Sequence, residues 1–256
     1  MNYDDTIELR DMKTSEGLDI RNRKAVVNTT INKVVGVVSL KYKLIHNVDL
    51  LRTITPAVVE LGISEKEPII KTTRGGAITF FKFMSEKITG EVAKGDIVRF
   101  GVEFYNSYDG SFPVGFHIIA ERLVCLNGLV VPKSITEISI RHTRSANTSE
   151  VRDRLKEYFP KTTSAIDLWK SWSEIKPDRT RIDQFLKKSV GRKLRNEFLT
   201  RYMTLGSEKQ NLWEFYNILT YYISHQIKVR KNEDIKALKQ FQVNETWTNR
   251  LTEYFN

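Results

Sequence analysis

Three short turn signals constrain this chain more than any other feature. Gly75-Gly76, Asp109-Gly110 and Asn127-Gly128 each stand between runs of strand-forming residues. Such dipeptides supply the positive-φ positions that tight hairpins need. Connections this short cannot carry the backbone across to a parallel neighbour, so the strands they join are expected to form an antiparallel meander. Residues 68–74 and 77–84 flank the first turn. Residues 97–105 precede the second, with Val98, Phe100, Val102 and Phe104 on one face. Residues 115–125 follow it, and Val130-Val131 and then 135–142 follow the third. Upstream, the β-branched run 25–45 reads as one or two strands. Asn47 then reads as the cap of a helix carrying Val48, Leu51, Ile54, Val58 and Leu61 at helical spacing. Gly62 is its stop, and Pro56 is expected to kink or split it.

Near Arg144 the pattern changes. A small polar linker, 144–150, leads into segments of helical period. Val151, Leu155 and Phe159 mark the first, and Ala165, Ile166, Trp169 and Trp172 the second. A long helical segment over 179–203, which Gly191 can bend, another over 207–229 and shorter helices at about 232–242 and 245–255 complete the expectation. The fold class read from this is α+β: an antiparallel twisted sheet with a packed helix, followed by a helical C-terminal part. The division expected is an N-terminal arm over 1–24, polar and without clear periodicity, a β-rich domain over 25–145 and a helical region over 146–256.

Composition narrows the function classes. The chain carries 41 Lys and Arg against 31 Asp and Glu, a net +10. From Glu150 onward there are 21 basic and 14 acidic residues, so most of the excess lies in the helical part. A clustered basic balance suits a polyanion, most commonly nucleic acid, although it also serves solubility alone. No apolar run approaches the roughly 18 residues of a membrane span, and the first residues lack the apolar stretch of a secretory signal. One cysteine, Cys125, excludes an internal disulfide and fits a reducing compartment, here the host cytoplasm. One Cys and four scattered His give no metal-ligand spacing. Phosphate-cradling, dinucleotide-binding and nucleophile-elbow motifs are absent, so no cofactor and no enzymatic activity are expected.

The best physical clue is the 179–203 segment. Arg181, Lys188, Arg192 and Arg195 recur at helical spacing, flanked by Lys187 and Lys193, a stripe that can follow a phosphate backbone or simply face water. Arg122 and Arg141, from one sheet region, could each place a guanidinium on a phosphate or pair with Glu121, Glu137 or Asp109. Phe80, Phe81, Phe83, Phe100, Phe104 and Tyr105 could stack with bases from a sheet face left uncovered, or form core. Cys125, between Val124 and Leu126, reads as a buried, inert thiol, and a Cys–His pair with His117 or His142 is the weaker alternative.

Asn106-Ser107-Tyr108-Asp109-Gly110-Ser111, the R-x-x-C-x-N-G run from Arg122 to Gly128, and Arg141-His142-Thr143 together resemble the marks of the phage/plasmid-like protein family, carried on mobile elements. The entry to the first helix, 39–51, and Trp213, Asn217, Thr220, Tyr221 or Tyr222, and His225 fit the same resemblance. Tyr108 stands where that family often has His. The polar loop 106–111 reads either as turn chemistry or as a surface presenting Asn106, Tyr108 and Asp109 to a ligand. The resemblance implies a mobile-element protein with neighbours in DNA metabolism and supplies no activity. The function expected is non-enzymatic binding of single-stranded DNA in replication or recombination, through Arg181, Lys187, Lys188, Arg192, Lys193, Arg195, Arg122, Arg141 and Tyr108. The alternative is a protein-interaction factor, in counter-defence or assembly, that binds a host or phage protein. Self-association would suit a strand-binding protein, though no residue pattern specifies it.

Overall fold

The computed structural model describes residues 7–132, 139–228 and 235–255. Its first element corrects the expected arm. Strands β1 (Ile7–Lys13), β2 (Asp19–Asn28) and β3 (Lys33–Ser39) form an antiparallel three-stranded sheet in that order. The charged sequence of β1 hid it, because only Ile7 of that strand is buried and its other side chains are exposed or, at Met12, half-buried. Lys24 bridges to Asp11 at 2.6 Å across the β1–β2 pair. Residues 1–6 of the expected arm, with Asp4 and Asp5, lie outside the described residues.

Helix α1 spans Asn47–Glu60, one residue earlier than expected, with His46 rather than Asn47 at the cap position. Pro56 does not split it; the helix runs on to Glu60. The stop is as read. Gly62 adopts φ +66°, its N–H donates to the Val59 carbonyl, and the N–H of buried Ile63 donates to the Val58 carbonyl. That pair of bonds satisfies two terminal carbonyls and seals the helix end with an apolar contact.

The second sheet has β4 (Ile69–Thr73), β5 (Ile78–Ala93), β6 (Asp96–Ser107), β7 (Val114–Arg122) and β8 (Asn127–Val130) side by side, with β9 (Ser139–Ile140) also pairing β7. All its pairings are antiparallel, as the turn signals require. The third turn is displaced, however. Asn127-Gly128 opens β8, and the chain reverses over residues 123–126, with Leu126 rather than a glycine at φ +54°. Cys125 therefore sits half-buried in the reversal, not inside an apolar strand. Of the last expected strand, residues 135–138 lie outside the described residues.

Seven α-helices are described. After α1 come α2 (Thr148–Tyr158), α3 (Thr162–Glu174), α4 (Arg179–Ser189), α5 (Arg192–Met203), α6 (Leu212–Tyr221) and α7 (Lys236–Phe255). The expected 179–203 helix is two, broken where Val190 and Gly191 become extended. The two short C-terminal helices are one from Lys236 onward, while residues 229–234 lie outside the described residues. One hydrophobic cluster runs from Ile45 to Phe255, so the β-rich and helical regions share a core. Phe81, Phe83, Phe100 and Phe104 enter it from the sheet's inner face, where Phe100 stacks on Trp169 at 6.0 Å. On the outer face, Phe80 and Tyr105 pack against Phe241 of α7. All six sheet aromatics are thus buried, which removes them as a platform for base stacking.

Candidate nucleic-acid interface

The basic segment folds into a corner. Asp178 caps α4 by accepting from the Arg181 N–H at 2.8 Å, and Ile182, Phe185 and Leu186 fix the helix to the core. The break at residues 190–191 then starts α5 with Gly191 as cap and no side-chain capping bond. The single-helix phasing of Arg181, Lys188, Arg192 and Arg195 is lost, because they belong to two helices. What replaces it is a compact cationic turn. Between Asp183 and Glu197 the chain carries five cations and no acid. Lys187 and Lys188 lie in the last turn of α4, where the helix dipole favours positive charge. Arg192 and Lys193 open α5, where it disfavours it, and no acidic residue offsets them in that first turn.

Not all of the expected cations are available. Arg195 is held by Asp183 through two bonds of 2.6 Å, which keeps its guanidinium charged and holds the Asp183 carboxyl below the usual carboxylate range. Lys187 lies 3.9 Å from the same carboxylate. Arg181 rests over the Phe255 ring at 4.9 Å, and Lys188 lies 5.8 Å from the Tyr254 ring. Lys187, Lys188, Arg192 and Lys193 are all exposed.

Arg122 is corrected outright. Its guanidinium forms two 2.7 Å bonds to Asp96, and bonds of 2.7 and 3.2 Å to Glu214. Burial works against its charge, but the two carboxylates outweigh that and raise its pKa. With Asp96 also accepting from the Trp213 indole at 2.7 Å, this is a largely buried clamp in which four of the five guanidinium N–H donors are already bound to carboxylates. The rest of the R-x-x-C-x-N-G run serves the same joint. Asn127 donates to the Asn217 carbonyl, the Gly128 N–H to the Ser224 hydroxyl, and His225 meets the Cys125 carbonyl at 3.2 Å. Two separated sequence motifs thus form one seam between the β7–β8 hairpin and α6 with the π-helical turn that follows it. His117 and His142 have other surroundings, the first against Phe241 and the second against Tyr42, so the Cys125 pairing has no geometry to support it.

Tyr108 is also corrected. It is buried, and its hydroxyl accepts from the Asn47 N–H at 2.9 Å. Asn106 donates to the Ile45 carbonyl and the Asn47 side chain, both at 2.8 Å, and Asp109 accepts from the Ser111 N–H and from Arg74. The 106–111 loop is therefore a joint between β6, the start of α1 and the β4–β5 turn. Arg141 is exposed and makes no ion pair among the described residues; Glu137, one of its expected partners, lies outside them. Beside it, His142 is buried with Nδ1 3.1 Å from the Lys43 carbonyl, and burial lowers its pKa.

One group of charges escaped sequence reasoning. Lys82 of β5 and Glu103 of β6 stand directly opposite on the sheet's outer face, with Glu121 of β7 nearby. Their alternation with core aromatics was visible, but their meeting depends on strand register.

Among the described residues no three His, Cys, Asp or Glu side chains could hold a metal ion, and no helix is long and apolar enough to cross a membrane. A family model described as a domain of unknown function, DUF932, matches residues 34–242. No curated protein and no solved structure matches the chain.

Proposed function

The chain belongs to the DUF932 family, and from that premise we propose that it is a non-enzymatic nucleic-acid-binding protein of a phage or other mobile element, acting in replication or recombination in the host cytoplasm. One observation carries the reading: the α4–α5 corner exposes Lys187, Lys188, Arg192 and Lys193 together, two of them where a helix dipole disfavours cations. Stability does not account for that placement, whereas a phosphate backbone would neutralise it. The net +10 favours the same partner. Contact is made to phosphates and not by stacking, because the sheet aromatics are interior. Single-stranded DNA remains the favoured form. A corner of four cations needs only a flexible backbone wrapped around it.

The test is fluorescence anisotropy of labelled single-stranded and duplex oligonucleotides across roughly 50 to 300 mM salt. Salt-sensitive binding that favours the single strand is expected. No binding at the lowest salt would remove the reading.

A protein-interaction role is the second reading, and the β7–β8 turn favours it. Leu123, Val124 and Leu126 are 40%, 71% and 57% exposed on a reversal fixed from below by the Arg122 clamp. A rigid apolar tip of this kind suits a host or phage protein as partner.

A further inference from the structure

We propose that the cleft between the outer face of the six-stranded sheet and α7 binds a guanine nucleotide, with the base edge on Glu103 and the phosphate on Lys71 and Lys82. The cleft measures about 190 Å³ and opens to solvent; Phe80, Ile223 and Phe241 give it apolar walls. Glu103 and Lys82 are a directly opposed pair across β5 and β6. Yet the Lys82 ammonium turns to Glu121, 3.7 Å away, a carboxylate that Arg99 already holds. Glu103 is left lining the cleft, half-buried, with no hydrogen bond or ion pair among the described residues. Its burial raises its pKa, and the charges of Lys82 and Lys71 oppose the rise.

With no donor from the protein among the described residues, the Glu103 carboxylate relies on solvent in the open cleft, so a ligand that displaces that solvent must bring the donors itself. The ligand must also carry negative charge for two ammonium groups and a flat, partly apolar body for the walls between. A guanine edge offers two adjacent N–H donors, which one carboxylate accepts as a parallel pair. Adenine and cytosine set a lone pair beside their single donor on that edge, and it would face a carboxylate oxygen. Lysines suit the phosphate as point charges. The nucleotide can be free or part of a strand. This inference shares no residue with the α4–α5 corner, so either can fail alone.

Calorimetric titration of the full chain with guanosine monophosphate, adenosine monophosphate and guanosine, and with short oligo(dG) and oligo(dA) strands, tests it. Saturable binding of guanosine monophosphate is expected, with about 10- to 100-fold loss in Glu103→Gln, which gives up a charged acceptor pair. Lys71→Ala should weaken the nucleotide but not the nucleoside. Because Lys71 is exposed, that variant keeps the test decisive if Glu103→Gln fails to fold. Binding confined to oligo(dG), and lost in Glu103→Gln, would support the site with a strand as its source. No heat from guanosine monophosphate or oligo(dG), equal affinity for the two monophosphates, or full affinity in Glu103→Gln would each overturn the proposal.

Discussion

At the residue scale, the side chains that look most reactive in the sequence mostly hold the protein together. Arg122 joins strand, hairpin and helix through two nearly buried carboxylates. Arg122→Ala would leave both unpaired, and a loss of about 3 kcal/mol or more in urea unfolding is expected. Glu103 behaves in the opposite sense. Its folded pKa lies above its unfolded value, so its contribution to stability is present at low pH and lost as pH rises through the folded pKa. Glu103→Gln should therefore raise the melting temperature at pH 7, and the gain should vanish below about pH 4.5, the ordinary carboxyl range, when melting is followed across pH. The titratable groups around it are Lys82, Lys71, Glu121, Arg99 and His117, which stands opposite it across β6 and β7, and of these Lys82 and Lys71 oppose the rise. The sequence identified Arg122 as important but not its partners, since Asp96 and Glu214 lie 26 and 92 residues away along the chain.

At the element scale, local chemistry was legible and long-range closure was not. The Gly62 stop could be read because one residue needs a left-handed backbone, and nothing lies within 4 Å of the point where a side-chain methyl group would stand. Gly62→Ala should cost only the conformational term, about 1 kcal/mol in urea unfolding. Gly36 is different. A Cβ there would meet the Asp109 Cα at 2.5 Å and its Cβ at 2.9 Å. Gly36→Ala must push β3 off the 106–111 loop, with an expected loss of about 1–3 kcal/mol and faster amide exchange in β1–β3. Asn127-Gly128 misled because the turn dipeptide signal is statistical, whereas the seam to Asn217 and Ser224 draws those two residues into a strand. The 179–203 helix misled for a related reason. Helical spacing continues through Gly191, but the Arg195–Asp183 bridge ties α5 back against α4 and is formed only if the helix breaks.

At the scale of the whole molecule, one core spans the six-stranded sheet and the helices. The α+β class was legible because period-two and period-3.6 patterns occupy different stretches of chain. The candidate interface was legible only in part. Lys187, Lys188, Arg192 and Lys193 stay exposed as expected, while Arg122, Tyr108 and Arg195 are claimed by partners that only folding brings near. In the proposed function those four exposed cations form a phosphate-binding corner. It is tested most directly by the slope of log affinity against log salt for a single-stranded oligonucleotide, measured for the wild type and for Lys187→Ala/Lys188→Ala/Arg192→Ala/Lys193→Ala. A folded variant is expected, with weaker binding and a slope smaller by roughly 3, about 0.7 for each lost contact. An unchanged affinity and slope in the folded variant would contradict it.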